Sequence, residues 1–125
     1  MNQVYDVSGD ICYLDSNNKV KSAPIKRAAI AVASSGDNTV IAAVSGKKIR
    51  VLGYVISTTG TVTIRFEDGA GGTALTGQMG AQSAVAIQSG FLPHGWFETS
   101  VGTLLNLELS AAISVAGHLI YIEVD

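Results

Sequence analysis

Short runs of alternating apolar and polar residues, separated by glycine-containing turns, constrain this chain more than any other feature of its sequence. The clearest run is Thr61 to Glu67, in which Val62, Ile64 and Phe66 fall on one face of an extended strand. β-Branched residues, which favour strands, occupy 33 of the 125 positions, alongside 14 glycines and two prolines. The pattern therefore predicts an all-β chain.

The spacing of these runs predicts the architecture. About eight strands follow one another at spacings of roughly 8–15 residues, and no segment has the periodicity of an amphipathic helix. This is typical of an antiparallel β-sandwich of jelly-roll type. The apolar content, 47% of the residues, suffices for one core. We predict a single sandwich domain over residues 25–125, preceded by residues 1–24 as an N-terminal arm or an edge hairpin.

Two consecutive segments predict a hairpin. Lys47 to Ser57 and Thr61 to Glu67 flank the turn sequence Thr58-Thr59-Gly60. The first segment is apolar on both faces, with one face formed by Ile49, Val51 and Val55 and the other by Leu52, Tyr54 and Ile56. Such a strand must be covered on both sides, so we expect the core on one side and something else, such as a partner surface, on the other.

Charge is distributed unevenly along the chain. All eight basic residues lie between Lys19 and Arg65, whereas residues 66–125 carry six acidic side chains and no lysine or arginine. The net charge of −2 makes nucleic acid an unsuitable partner. Either the asymmetry persists in the fold and orients the molecule on a charged surface, or the strands interleave and the charges mix. The sequence leaves both alternatives open.

Cysteine usage and the chain start indicate the compartment. A single cysteine, Cys12, excludes an intrachain disulfide and a multi-cysteine zinc site. The first residues have neither a basic start nor an apolar run, and the longest apolar stretch, Ala28 to Ala33, is about a third of a membrane span. We expect no membrane partner, and a reducing cytoplasm or a particle assembled there.

No constellation of residues predicts an enzyme, a metal site or a cofactor. His94 and His118 would need a third metal ligand from elsewhere. Three aspartates in the first fifteen residues lack the spacing of a calcium-binding loop. The glycines between Gly69 and Gly72 lack the lysine and hydroxyl residue that follow a phosphate-binding loop, which favours a flexible surface loop.

Aromatic and basic residues are the candidates for contact with a protein partner. Trp96 and Phe97 are adjacent, so at most one of them is expected to be exposed on a strand. The basic residues could meet an acidic surface, or they could form a solvated rim that protects an edge strand. The predicted contact residues are Tyr5, Lys19, Lys21, Lys26, Arg27, Lys47, Lys48, Arg50 and Trp96.

Several segments of the sequence resemble those of a known group of proteins. They are Gly46 to Tyr54, Thr61 to Phe66, Gly72 to Gly77, Phe97 to Ser100, Leu104 to Ser110 and Gly117 to Tyr121. Together they resemble small structural proteins of tailed bacteriophages, over roughly residues 39–124. The resemblance implies a jelly-roll virion component of the capsid decoration, cement or head-fibre type.

The resemblance and the residues together predict an adhesive function. A homo-oligomer, a trimer or a dimer, would bind the major capsid protein or another virion protein through repeated weak contacts. Tyr5 to Pro24 and the basic edge near Lys47 would contact acidic capsid protein. The alternative is a tail- or fibre-associated module that recognises glycan through Trp96 or His94.

Overall fold

The structure is a computed structural model that describes residues 4–125. Within these residues the chain forms twelve strands and, as predicted, an all-β fold. No helix in this part of the chain is long and apolar enough to cross a membrane. The strands are β1 (Ile11–Leu14), β2 (Val20–Ala23), β3 (Lys26–Val32), β4 (Gly36–Ile41), β5 (Lys48–Thr58), β6 (Val62–Asp68), β7 (Thr73–Ala74), β8 (Met79–Ala81), β9 (Ile87–Gln88), β10 (Phe97–Glu98), β11 (Leu105–Leu109) and β12 (Val115–Val124).

Ten of these strands form the two sheets of a sandwich. The first sheet has the order β10-β5-β12-β3, and the second has the order β4-β11-β6-β7. β9 also pairs with β5, and β8 also pairs with β6. Every pairing between these strands is antiparallel. β3, β4, β5 and β6 alternate between the two sheets, and β11 and β12 again lie in different sheets. Together with the strand order in each sheet, this is the topology of a jelly roll.

The strand count differs from the predicted eight for two reasons. Residues 4–23 contribute a separate two-stranded sheet, β1-β2. In addition, β7 and β8 each pair with part of β6, while β9 and β10 each pair with part of β5. The edge of each sheet, next to β6 in one and next to β5 in the other, is therefore formed by two short strands instead of one long one.

The predicted hairpin between Lys47 to Ser57 and Thr61 to Glu67 is wrong. β5 and β6 lie in different sheets, and the turn between them crosses from one layer of the sandwich to the other. The physical reason is that both strands carry an apolar face that must be buried. Val51 of β5 and Phe66 of β6 belong to the same core between the sheets. If the two strands had paired in one sheet, these side chains would have lain side by side on one surface instead of packing against each other from opposite layers.

The core between the sheets is built from the alternating residues of the long strands. On β6, the predicted inward face is confirmed, since Val62, Ile64 and Phe66 are buried. β11 contributes Leu105, Leu107 and Leu109, which are also buried. Side chains from the first sheet complete this cluster, among them Ile30, Ile49, Val51, Ile56, Val115 and Leu119.

The N-terminal hairpin β1-β2 covers the outer face of the first sheet. A second apolar cluster forms there, from Ile11, Tyr13, Ala23, Leu52, Ile122 and Val124. Leu52 is the extra residue at a register shift between β5 and β12, where Val51 pairs with Tyr121 and Gly53 pairs with Ile120. The shift reverses the alternation along β5, so Tyr54 and Ile56 face the same core as Ile49 and Val51, and the predicted division of this strand into two faces is wrong beyond Leu52. The cover expected for the second apolar face of this strand is therefore provided, at Leu52, by the chain's own hairpin.

A single aspartate organises the turn of this hairpin. Asp15 Oδ1 accepts hydrogen bonds from the backbone N–H groups of Asn17 (2.8 Å) and Lys19 (2.9 Å). Asn18 follows with a φ of 59°, a left-handed conformation that asparagine tolerates well. These bonds, the one from Lys19 above all, lower the pKa of the Asp15 carboxyl. The turn thus sets Leu14 opposite Val20 in the hairpin register.

Candidate functional site

Five of the seven predicted basic contact residues form ion pairs within the molecule. Lys21 and Lys47 both reach the Asp125 carboxylate. Lys48 and Arg50 both contact Glu98, at 3.3 and 2.8 Å. In addition, Lys26 lies 3.0 Å from Glu123 and Lys21 lies 3.4 Å from Asp15. The basic residues of residues 1–65 are thus interleaved with acidic residues from the other half of the chain.

These ion pairs show that the basic and acidic halves of the chain interleave in the fold. β12 carries Glu123 into the centre of the first sheet, and Asp125 follows directly after it, beside strands from the basic half. The sequence asymmetry therefore does not produce one uncompensated basic surface. Within residues 4–125, no carboxylate lies at ion-pair distance from Lys19 or Arg27, and both side chains are exposed.

The strongest of these contacts shift the pKa values of both partners. The hydrogen bond from Lys21, followed by that from Lys47, lowers the pKa of the Asp125 carboxyl to about 2. The same contacts raise the pKa of both lysine amines. Likewise, the hydrogen bond to Glu123 raises the pKa of Lys26. Opposite charges favour each other's ionised forms, so these groups hold the hairpin and the end of β12 together at neutral pH.

The outward-facing side of the hairpin carries exposed apolar side chains. Leu14 and Val20, which pair directly, are 59% and 52% exposed. Cys12 and Ser22 pair on the same side, because the side chains of β1 alternate and Ile11 and Tyr13 face the sheet. We call Cys12, Leu14, Val20 and Ser22 the hairpin face. Tyr5, which bridges to Ile11, is also partly exposed at 40%.

Trp96 and Phe97 divide between surface and core as the alternation predicts. Phe97 packs against the core, with its ring centroid 5.1 Å from that of Phe66. Trp96 is half exposed, and its indole Nε1 donates a hydrogen bond to the backbone oxygen of Gly90 at 2.8 Å. That bond fixes the indole near Phe91, which is 45% exposed. An aromatic ring is therefore presented at the surface in a defined position.

A polar cluster that the sequence analysis missed lies on the outer face of the second sheet. Asp37 of β4, Glu67 of β6 and Glu108 of β11 each place a carboxylate oxygen within 4.8 Å of the others. A metal ion needs at least three histidine, cysteine, aspartate or glutamate side chains close together. Among the described residues, these three carboxylates are the group that meets this condition. The two predicted histidine candidates, His94 and His118, do not take part in it.

The register of three adjacent strands produces this convergence. Asn106 of β11 pairs with Glu67 of β6, and Glu108 of β11 pairs with both Arg65 of β6 and Asp37 of β4. Glu67 has no exposed surface, whereas Asp37 is exposed. A buried carboxylate is stable only with partners, and Glu67 receives a hydrogen bond from Arg65 at 2.7 Å.

Asn106 lies between two of the carboxylates. Its Nδ2 donates to Asp37 Oδ1 at 2.9 Å and to Glu67 Oε1 at 2.8 Å. Asn106 is fully buried, and its Oδ1 has no hydrogen-bond partner among the described residues. Buried polar atoms without a partner are uncommon in folded proteins and call for an explanation.

The glycine-rich turn after β6 lies at the surface and contacts this cluster. The backbone N–H of Gly71 donates to Asp37 Oδ1 at 3.1 Å, and that of Gly69 donates to the backbone oxygen of Leu104 at 3.0 Å. Gly72 has no room for a side chain, because a Cβ there would lie 1.8 Å from the backbone oxygen of Asp68. The glycines therefore permit a tight turn that is hydrogen-bonded to its surroundings.

Comparisons with known proteins give little further guidance. No protein-family model matches the chain, and no curated protein matches it. A solved structure of Bacillus endospore appendages, described as a novel family of disulfide-linked pili, is similar at 15% sequence identity and a TM-score of 0.47. That similarity covers 83% of this chain and 90% of the other. A likeness of this size says nothing about function.

Proposed function

We propose that this protein is a virion structural protein, a capsid decoration or cement protein that binds the outer surface of a phage head as an oligomer and stabilises it. The observation that carries the proposal is the exposed apolar pair Leu14 and Val20 on a hairpin added to a jelly-roll sandwich. The resemblance of its strand and turn segments to those of small phage structural proteins supports the proposal. The partner is the major capsid protein or another virion protein, and the location is the virion.

The hairpin face is the part of the molecule that would contact the capsid. Its inner side is already used, because Ile11 and Tyr13 pack on the first sheet. Its outer side presents Leu14 and Val20 to solvent, where burial against a partner would be favourable. Apolar contact replaces the electrostatic docking that the sequence suggested at Lys47, since that side chain is paired with Asp125.

An oligomer would strengthen such a contact. One small apolar patch binds weakly, but several copies of it engaging a repeating lattice at once raise the overall affinity. A dimer or trimer is the expected state, and light scattering with size-exclusion chromatography measures it. A chain that is monomeric at all concentrations would contradict this part of the proposal.

Binding to purified heads tests the proposal directly. The chain is mixed with candidate phage heads that lack decoration, and occupancy is measured by co-sedimentation. We expect saturable binding, and a loss of about tenfold or more in affinity for the double variant Leu14→Ser, Val20→Ser, because its contact residues are lost. The matched control is Val85→Ser, Val101→Ser, which changes two other exposed apolar side chains and should bind like the wild type.

The same assay separates the electrostatic contribution. Lys19→Glu and Arg27→Glu reverse the two predicted contact cations that have no carboxylate partner within residues 4–125. A weaker affinity that also depends on salt would assign them a contact with an acidic capsid surface. A chain that remains in the supernatant with every head preparation would contradict the decoration function.

The second candidate function is a tail- or fibre-associated module that binds glycan. The exposed Trp96 indole favours it, because a fixed aromatic face can stack on a sugar ring. Glycan-array binding by the wild type that is lost in Trp96→Ala, but kept in the neighbouring control Phe91→Ala, would support this function over decoration.

A further inference from the structure

We propose that the free edge of β3 is a dimer interface, at which a second copy of this chain adds its own β3 antiparallel to the first sheet. Such a dimer gives the oligomer of the proposed function an interface, and to that extent it rests on that function. The geometry of the edge is independent of any capsid, so the interface can be tested without one.

β3 is a long edge strand with little protection against pairing. Within residues 4–125 it pairs with β12 on one side and with no strand on the other. Natural edge strands are usually short, charged or covered. β7, β8, β9 and β10 have two or three residues each, and the Asn38 side chain donates to two main-chain oxygens around the start of β4. β3 has seven residues, and its charges, Lys26 and Arg27, stand at its first two positions, which leaves Ala28 to Val32 unprotected.

The hydrogen-bond pattern of β12 shows which way its main-chain groups point. The Thr59 N–H donates to the backbone oxygen of Ser114 at 3.1 Å. The next pair along, Thr58 and Val115, therefore has no mutual hydrogen bonds, because bonded and non-bonded pairs alternate between antiparallel strands. Val115 thus directs its N–H and C=O groups away from β5 and towards β3, and so does Leu119, four residues later.

The same alternation identifies the main-chain groups on the free edge of β3. Val115 pairs with Val32, and Leu119 pairs with Ala28, without a register shift between them. Val32 and Ala28 therefore bond to β12, whereas the residues at the alternate positions direct their N–H and C=O groups outward. The outward residues are Arg27, Ala29 and Ala31, all of them exposed.

This edge is complementary to itself. If two copies of β3 run antiparallel about a two-fold axis at Ala29, this residue faces Ala29 of the second copy, and Arg27 faces the second copy's Ala31. Every outward residue then meets an outward residue, so that each such pair can exchange two N–H···O=C hydrogen bonds. A two-fold interface uses the same surface on both copies, and the β3 edge meets that requirement.

The charges near the edge favour this two-fold arrangement. Within residues 4–125, Arg27 has no carboxylate at ion-pair distance, and the exposed Asp37 forms no ion pair. Asp37 follows the turn after β3, so it lies beyond the end of the strand that Arg27 begins. The axis brings the cationic end of each copy to the acidic end of the other, and it separates the two Arg27 positions by about 13 Å along the strands. Parallel pairing would place them side by side.

A depression at the end of β3 leaves room for a side chain of the second copy. It has a volume of about 330 Å³, and its lining is mostly small and apolar. The lining residues are Ala31, Val32, Ala33, Ser114, Val115 and Ala116. With the axis at Ala29, the second copy's Ile25 lies opposite Ala33, at this depression. Ile25 is 39% exposed, so its burial there would add apolar contact to the main-chain hydrogen bonds.

Sedimentation equilibrium of the intact chain, without phage heads, tests the interface. We expect a monomer–dimer equilibrium. Ala29→Lys places two cations face to face on the axis and should raise the dimer dissociation constant about tenfold or more. The matched control is Ala74→Lys, because Ala74 is also an exposed alanine on an edge strand, β7, but in the other sheet. It should dimerise like the wild type, and both variants should keep the wild-type circular dichroism, since both positions are exposed.

Cross-linking in a Cys12→Ser background tests the register. Ala29→Cys should link to itself through a short bismaleimide, because the axis passes through this position. Arg27→Cys and Ala31→Cys should link efficiently only when the two variants are mixed, since each of these positions faces the other across the interface.

A chain that remains monomeric, a trimer, a dimer that Ala29→Lys leaves intact, or cross-links that do not follow this register would each overturn the β3 interface. Binding to heads is a separate readout. A chain that fails these tests but still co-sediments with heads would overturn the interface and leave capsid binding in place, whereas a β3 dimer that ignores every head preparation would do the reverse.

Discussion

At the scale of single residues, a severe steric constraint lies in the middle of β12. Gly117 pairs with Ile30 on one side and with Ile56 on the other, so both edges of its strand are occupied. A Cβ at this position would lie 1.9 Å from the backbone oxygen of Val55, and the residue has a φ of 153°. Because the obstructing atom is main chain, a side chain here requires the sheet itself to move.

Gly117→Ala should therefore destabilise the protein by about 3 kcal/mol or more, at the upper end of the cost of overpacking. Gly77→Ala is the control, since nothing lies within 4 Å of the corresponding Cβ, and its effect should stay within about 0.5 kcal/mol. Urea unfolding measures both. Equal midpoints for the two variants would contradict the close approach between β12 and β5.

At the scale of elements, the molecule contains two apolar clusters on opposite faces of the first sheet. The core between the sheets includes Leu107, and the cluster beneath the hairpin includes Leu52. Both leucines are fully buried, so they provide the same substitution in two different places. The hairpin is a separate two-stranded sheet, and its attachment to the sandwich depends on the second cluster.

Leu52→Ala and Leu107→Ala should each cost about 2–5 kcal/mol, but in different parts of the molecule. We expect Leu107→Ala to lower the stability of the whole sandwich. Leu52→Ala should mainly accelerate amide hydrogen exchange in β1 and β2, since it loosens their contact with the sheet. Uniform acceleration across β11 and β1 in both variants would show that the hairpin and the sandwich unfold as one unit.

Alternation of apolar and polar residues predicts which face of a strand is buried, but it does not predict which strand lies beside it. The alternation at Thr61 to Glu67 identified the buried face of β6, which is confirmed, and it favoured a sandwich. It could not identify the neighbouring strand, so the predicted hairpin with Lys47 to Ser57 was wrong. The same limit hid the polar cluster. Asn106 and Glu108 alternate with leucines in the sequence, but only the register with Asp37 and Glu67 brings these polar side chains together.

At the scale of the whole molecule, ion pairs connect segments that are distant in sequence. Asp125 joins Lys21 of the hairpin to Lys47, the residue before β5. Its carboxyl has a pKa of about 2 in the folded protein, below the ordinary value of 3.8. A carboxyl whose pKa is lowered by folding stabilises the folded state at pH values above its ordinary pKa. This contribution is lost as the pH falls from about 4 towards 2.

Asp125→Asn should therefore lower the melting temperature at neutral pH and flatten its decline between about pH 4 and 2. Lys47→Gln should do the same in part, since it removes one of the two cations. Lys19→Gln is the control, because this lysine has no carboxylate partner within residues 4–125. Calorimetric melting across this pH range measures the effect, and parallel curves for wild type and Asp125→Asn would refute it.

The central position of β12 has a consequence for how the protein forms during synthesis. Both β3 and β5 hydrogen-bond to this strand, although it is made after every other strand described here. Until residues 115–124 have left the ribosome, the first sheet is split into two parts, each with an unpaired edge. Exposed edges of this kind recruit other chains, so crowded nascent copies are most vulnerable to aggregation in that interval. Of the strands described here, the one translated last is thus the one that closes the sheet.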